Sequence, residues 1–395
     1  MASATNKVRP LDGVKVLDLS QILAGPYCTR LLADAGAEVV KIEPPEGDPT
    51  RHLPALLGEN YSGFFLWLNC GKKSVIADLH TDRGRELVLA LAANADVVVE
   101  NMRPGSLADK GLGYSDLKRV NPRLVMCSIS AFGNTGILAG RPGQGIIAEG
   151  WSGVIDMNGY PDRPPLPLGV SLSDVSAGIH AYGAILTALY RRDRVDGIGE
   201  NIDISLFDAA LPFHETALEE VELGDGRITP ERSGAEHRSV VPYGVYGAPD
   251  GNMTVAAGTE RLWLRLDELL STTQGASVFD LSTNDLRLQH RVEVRQRIER
   301  WAASQGSRDQ ALAALAAAGV PAGPVQPVKD VARGELAVSR ESFVTIPDSI
   351  LGQVSVLNTP YKTSNSQIGP SGPAPLLGEH TEEIEASLGL SKSLA

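Results

Sequence analysis

Residues 14–42 read VKVLDLSQILAGPYCTRLLADAGAEVVKI and contain one complete strand–helix–strand pattern. The run 14–19 is apolar and β-branched, as a buried strand requires. Ala24-Gly25-Pro26 breaks it, and Pro26 suits the first turn of a helix, where its missing N–H is not needed. Residues 27–35 then read as helix, with Leu31 and Leu32 on one side. Gly36 supplies a C-terminal stop, and 39–42 is the next strand. A strand, a crossover helix and a second strand imply parallel pairing. The pattern recurs further on. Residues 74–79 read as strand, and Thr81-Asp82 can cap a helix running to about 94. Residues 96–100 (DVVVE) and 124–129 read as two more buried strands. Repetition of such units gives an α/β fold with a doubly wound parallel sheet, in which ligands bind past the carboxyl ends of strands. Chemistry is therefore expected in 20–26, 43–49, 101–105 and 130–145.

Residues 133–169 are rich in Gly and Pro, and a loop of that length inside a domain is functional or poorly ordered. A helix over 174–192 follows, with Ala177, Gly178, Ala181, Gly183 and Ala184 giving it a face suited to close packing. Residues 201–205 alternate as a strand, and 206–223 read as one helix. The polar, charged stretch 224–239 has the character of a domain boundary. Beyond it lie a strand at 253–257, several helices including an Ala/Leu-rich one at 309–318, and strands within 354–363. A chain of 395 residues is long for one compact core, so two domains are expected.

Composition removes whole classes of function. Hydrophobic residues make up 43% and charged residues 21%, which is globular. No run of about 18 apolar residues exists to cross a membrane as a helix, and residues 1–10 lack the apolar core of a secretion signal and read as a frayed end. The formal net charge of −12 argues against a nucleic-acid partner. Cys28, Cys70 and Cys127 form no Cys-x-x-Cys pair and read as buried small hydrophobes in a reducing, cytoplasmic setting. The seven histidines show no ligand spacing, so no metal is expected. Neither a phosphate-binding P-loop, a G-x-G-x-x-G turn nor a G-x-S-x-G elbow occurs.

Asp174 lies at the first turn of the small-faced helix, where the helix dipole and free N–H groups favour an ionised carboxylate. Such a carboxylate in a dry site can act as a nucleophile. An ordinary helix-terminal acid is the commoner reading of that position taken alone. Lys72 and Lys73 can hold phosphate as point charges or form a solvated surface pair. Arg103 sits past the DVVVE strand and Arg141 in the long loop, each open to ligand binding or to a surface role.

Taken together, several segments resemble the class III coenzyme A transferases, the family that includes formyl-CoA transferase, carnitine CoA-transferase and α-methylacyl-CoA racemase. The carrying motifs are LDGVKVLD (11–18), AGP (24–26), LADAGA (32–37), VVKIEP (39–44), NCGKKS (69–74), VENMRPG (99–105), the helix start at Asp174, and Asp250-Gly251 before an apolar strand. Their order spans nearly the whole chain. The resemblance implies a Rossmann-like large domain (1–224), a smaller α+β domain (225–330) and a C-terminal segment (331–395) returning to the large domain. It also implies an interlocked, ring-like homodimer with the active site between large and small domains. Asp174 matches the aspartate that attacks an acyl-CoA, forming first a mixed anhydride and then an aspartyl-CoA thioester. Coenzyme A is then a substrate, with no permanently bound cofactor. Gln21, Ile22 and Ala24 match the first CoA-contacting loop, and Lys73 and Asn101 match segments near the nucleotide. Met102 and Arg103 sit beside that loop. Lys72 and Arg141 complete the expected coenzyme-binding set.

Two departures narrow the activity. The family's racemases carry a histidine where this chain reads Pro142-Gly143-Gln144-Gly145, and an amide is not a base. Formyl-CoA transferase carries Gln at the place of Leu23 and Glu at that of Gln144. The resulting expectation is a CoA-transferase acting between an acyl-CoA and a carboxylic acid, with Asp174 and Gln144 in the reacting centre. An acyl-CoA racemase and a non-catalytic CoA-binding protein are the alternatives. Substrate preference is expected to lie in Leu23, Gln144, residues 143–159 and the region of His237 and Tyr243.

Overall fold

Six parallel strands carry the first of two compact units. In chain order its elements are β1 (Lys15–Asp18), α1 (Ala24–Asp34), β2 (Glu38–Glu43), α2 (Gly63–Asn69), β3 (Lys73–Ile76), α3 (Asp82–Ala92), β4 (Val97–Glu100), α4 (Tyr114–Val120), β5 (Val125–Ser130), α5 (Gly145–Trp151), α6 (Leu172–Arg191), β6 (Asn201–Ser205) and α7 (Leu206–Ala210). The computed structural model describes residues 8–53, 56–58, 61–225 and 227–390, so most of the stretch read as a frayed end lies outside the described residues. The sheet runs β3-β2-β1-β4-β5-β6, every neighbour parallel. The winding reverses between β1 and β4, and open α/β sheets bind ligands at the crevice such a reversal leaves at the carboxyl edge.

Alternate residues of each strand feed two cores, as the period of two dictates. Val16, Val97 and Val99 pack with Cys28 and Leu32 of α1 and Ala177, Ala181 and Ile185 of α6. Leu17, Val40 and Val98 face the other way, toward Leu87 and Val88 of α3, Leu117 of α4 and Ile384 near the C-terminus. Burial on both faces explains why β4 reads as an unbroken valine run.

The C-terminal part from Gly334 belongs to this first unit, together with the chain up to Ser152 and Gly169–Phe213. It adds an antiparallel hairpin, β7 (Phe343–Asp348) and β8 (Gly352–Leu357), whose Ile346 and Val356 pack on Phe65 and Leu66 of α2. It ends in α8 (Thr381–Ser387). The second unit comprises Gly153–Leu168 and His214–Arg333. The expected boundary at 224–225 thus moves to 213–214, and 153–168 leaves the first unit. A three-stranded antiparallel sheet (Tyr243–Ala248, Gly251–Ala256, Ala322–Pro324) packs there on helices through Trp263, Leu266 and Trp301.

Three local readings change. Helix α1 begins at Ala24, not 27, because Pro26 tolerates the whole first turn. The helix read over 206–223 is interrupted by a 3-10 turn at Leu211–His214, where Pro212 cannot donate. The long 133–169 loop contains a short helix, α5, that no apolar periodicity announced.

Candidate active site

The loop after β1 is shaped from below by buried charge. Asp18 accepts from Ser20 N at 3.0 Å, from Thr29 Oγ1 at 2.7 Å and from Lys72 Nζ at 3.0 Å. Burial alone would raise its pKa, but Lys72 and Lys41 hold the carboxyl down at about 2. Lys41 Nζ donates to Ser20 O at 2.7 Å and pairs with Asp48 at 2.9 Å. Asp48 in turn faces Ile22 N at 3.3 Å. From the side, Asn101 grips Gln21, accepting from its N–H at 2.8 Å and donating to its carbonyl at 2.7 Å. These contacts hold Ile22 at φ +68°, a left-handed conformation that costs a β-branched residue about 1–3 kcal/mol. The chain thereby turns sharply, placing Gln21 on one side and Ile22 and Ala24 on the other.

Two cavities open at this carboxyl edge. One of about 460 Å³ is lined by Gln21, Gly47, His80, Met102, Ser106 and Lys110. The other, about 340 Å³, brings together Ile22, Ala24, Asn101, Ser130, Gln144 and Asp174. Asp174 is the third residue of α6, past the N-cap Ser171. Its carboxylate lies against the backbone of Gly145, the first residue of α5, where an added Cβ would stand 2.1 Å from Oδ2. Helix α6 comes near enough to α1 for this because it carries Gly178, where a Cβ would lie 2.8 Å from the carbonyl oxygen of Ala24. Among the described residues none donates a hydrogen bond to the Asp174 side chain. Burial first, and the charge of Glu149 second, raise its pKa to about 6. The helix dipole was expected to favour the ionised form; burial and Glu149 work against it here, and with a pKa of about 6 the carboxylate still ionises at neutral pH.

The remaining expected residues divide. Gln144 is exposed at the N-terminus of α5 and lines the Asp174 pocket. Arg103 is exposed on the loop after β4, with no side-chain partner among the described residues. Arg141 lies with its guanidinium 5.5 Å from the centre of the Trp151 ring. Lys72 is corrected: it is no surface cation but fully enclosed, and its ammonium is spent on Asp18, Pro26 O, Thr29 Oγ1 and Asn69 Oδ1. Burial lowers its pKa to about 8 despite Asp18. Lys73 is corrected too. It starts β3, hence lies at the amino edge, paired with Glu38 at 2.9 Å and Glu383 at 3.5 Å. In a parallel sheet that edge is opposite the cavities.

Sequence reasoning passed over Ser130 and Glu149. Ser130 Oγ, at the end of β5, is buried without a hydrogen-bond partner and lines the Asp174 pocket. Glu149 is 3% exposed. The one available signal was an acid inside the apolar run IIAEGW. All three cysteines are buried and free. Among the described residues no helix is long and apolar enough to cross a membrane, and no cluster of His, Cys, Asp and Glu is arranged for a metal.

An α/β unit with a carboxylate beside an open cavity at the strand ends has the frame of a ligand-binding or catalytic site. The profile of CoA-transferase family III matches residues 11–381, and the chain belongs to that family; it is a class III CoA-transferase. It is 35% identical over 391 residues to the succinyl-CoA–D-citramalate CoA-transferase of Chloroflexus aurantiacus, covering 98% of this chain and 96% of that one. It is also 35% identical to the succinate–glutarate CoA-transferase of Agrobacterium fabrum, with 98% of each chain covered. Among solved structures, a CAIB/BAIF family protein from Brucella suis superimposes with a TM-score of 0.85 at 36% identity, over 97% of this chain and 100% of that one.

Proposed function

We propose that this enzyme moves coenzyme A from succinyl-CoA to a second small dicarboxylic acid, through an aspartyl-CoA thioester on Asp174. The observation that carries the reading is the state of that carboxylate. It lines a pocket, no described residue hydrogen-bonds it, and its pKa of about 6 leaves it both ionised and basic at neutral pH. The citramalate, glutarate and mesaconate transferases among its relatives support the dicarboxylate class.

The reaction then runs in four exchanges. An Asp174 oxygen attacks the thioester carbonyl of the donor; the C–S bond breaks and CoA leaves as thiolate, giving a mixed anhydride. The thiolate attacks the aspartyl carbonyl carbon, forming the aspartyl-CoA thioester and freeing the donor acid. The acceptor carboxylate attacks that thioester, expelling thiolate and forming a second anhydride. The thiolate finally attacks the acceptor carbonyl and releases Asp174 as carboxylate, with no net proton taken or lost. Covalent capture splits one difficult exchange into activated steps. The Gln144 amide and the Ser130 hydroxyl are the donors we assign to the developing oxyanions. Ile22, Leu23, Phe64 and Leu206 form the apolar wall that limits hydrolysis of the anhydride. We assign Gln21, Ile22, Ala24, Asn101, Met102 and Arg103 to coenzyme binding, with the cavity beside Gln21 and Met102 taking part of the coenzyme and Arg103 a phosphate.

We also read the first unit as Rossmann-like, on its strand order, and the enzyme as a cytoplasmic homodimer. An apolar groove of about 770 Å³ lined by Tyr27, Trp67, Val175 and Leu357 supports a self-association surface. Racemisation is not favoured, because no described side chain lining the Asp174 pocket is a histidine.

The test is incubation with succinyl-CoA, digestion, and mass spectrometry of the Asp174 peptide. The expected result is a CoA adduct that the acceptor acid discharges and that Asp174→Asn abolishes. An adduct-free peptide from a protein that still binds CoA, with solvent deuterium entering the α-carbon of a 2-methylacyl-CoA, refutes the transferase mechanism.

A further inference from the structure

Glu149 is the buried carboxylate that the reaction as written does not use. It sits on α5, 3% exposed, with its side chain turned to the first turn of α6. There its Oε1 accepts from Ser173 N at 3.1 Å and from Ser173 Oγ at 3.2 Å. Ser173 Oγ also approaches Gly145 O at 3.2 Å, so one serine joins both helix starts to the glutamate. No described cation pairs with Glu149. The residue after Ser173 is Asp174, held against Gly145 on the same seam.

We propose that Glu149 is a positioning residue for Asp174: it clamps the first turn of α6 through Ser173, and its uncompensated charge keeps the neighbouring carboxylate a strong nucleophile. The inference rests on the acyl-transfer reading given above. The charges facing Asp174 are few. On α5 there is Glu149, and the pocket walls contributed by α1, α2, β5 and α7 are Ala24, Phe64, Ser130 and Leu206, all uncharged. Asp174 therefore feels one like charge and no opposing one, which adds to burial in making it more basic. The repulsion has a direction in the reaction. It exists while Asp174 is a free carboxylate and vanishes when the oxygen is acylated, because anhydride and thioester are neutral. Two buried like charges thus destabilise the resting enzyme relative to its covalent intermediates. This interaction changes between ground state and intermediate, as an interaction that accelerates the chemistry must.

The test uses Glu149→Gln, which keeps an oxygen for Ser173 and removes the charge. Protein labelled with 13C at the aspartate carboxyl is titrated by NMR, the Asp174 signal being assigned by its loss in Asp174→Asn. The midpoint, about 6 in the native protein, should fall by roughly one pH unit in Glu149→Gln. The single-turnover rate of adduct formation should fall several-fold, with the thermal unfolding midpoint near neutral pH not lowered, since removing the repulsion favours the folded state. An unchanged midpoint in a folded Glu149→Gln protein overturns the proposal, as does a shifted midpoint with undiminished adduct formation. A lowered midpoint in a protein whose native form makes no adduct leaves the Glu149–Asp174 coupling intact and refutes the transferase mechanism instead.

Discussion

Replacing Asp174 by asparagine should make the protein more stable at neutral pH while removing its activity. Folding raises the pKa of this carboxyl from 3.8 to about 6. For an acid, a raised folded-state value means that the ionised form is penalised by folding. Below 3.8 the group is protonated in both states and contributes nothing. Above 6 it is ionised in both, and the folded state bears the full penalty. A difference of about two units at ~1.4 kcal/mol each sets a ceiling of roughly 3 kcal/mol. The carboxylate keeps partial contact with the open pocket, so solvent screening reduces the expected gain to about 1–2 kcal/mol. Asparagine is nearly isosteric and loses no hydrogen bond, since none of the described residues donates one to the native side chain. Denaturant unfolding of both proteins between pH 4 and pH 8 reads the effect. The variant's advantage should be close to zero at pH 4, grow between pH 4 and 6, and stay constant above. At constant unfolding entropy this corresponds to a few degrees in Tm at pH 7.5. A variant less stable than the native protein at pH 7.5, or one with the same advantage at pH 4, refutes the account of Asp174 as a destabilised, ionised carboxylate.

Two further outcomes follow from the geometry. Gly145→Ala places a methyl 2.1 Å from Asp174 Oδ2 and must displace the carboxylate; adduct formation should fall by about 100-fold with CoA binding retained by calorimetry, and normal rates would refute the seam between the two helix starts. Lys72→Met leaves the buried Asp18 without its ion-pair partner, with only the more distant Lys41 charge, and should cost about 3–5 kcal/mol in urea unfolding, whereas Lys73→Met, at an exposed pair, should cost under about 1 kcal/mol and leave CoA affinity unchanged; weakened CoA binding in Lys73→Met would restore its role as a phosphate ligand.

Much of the first unit was legible because its strands bury both faces. The runs VKVLDL and DVVVE have no amphipathic reading to compete with the buried-strand one, and Thr81 and Gly36 mark their elements by local chemistry, Thr81 Oγ1 accepting from Gly84 N at 3.1 Å and Gly36 taking φ +111°. Asp174 was singled out only through motif order, because a helix-terminal acid alone is too common to stand out. The lysines at 72 and 73 show the limit. Adjacent residues at a strand start point to opposite sides, so one dives into the sheet to meet Asp18 and the other stays at the amino edge. No local pattern states which acid waits 54 positions earlier in the chain. Glu149 was hidden for a related reason: its partner Ser173 is 24 residues away, across a Gly/Pro-rich connection that carries no periodicity.

The same residues explain what fixes Asp174, the nucleophile proposed above, on a helix and not on the loop beside it. A loop carboxylate can rotate toward water, and an anhydride formed there would hydrolyse. Asp174 is instead fixed by two close backbone approaches that only glycine permits, Gly178 against Ala24 and Gly145 against the carboxylate itself. These approaches bring α6 against α1, and α1 begins where the strained Ile22 turn ends. The turn is held by Asp48 and Asn101, and Asp48 by Lys41 beneath it. Position is therefore carried from the buried charges under the sheet edge, through the Gln21–Ala24 turn, to the Asp174 carboxylate. The mechanism proposed above holds an acyl group, a thiol and two acids in sequence at one carboxylate, and it needs that oxygen in one place throughout the cycle. On that proposal the charged cluster serves the site by position alone, since Lys72 lines neither cavity.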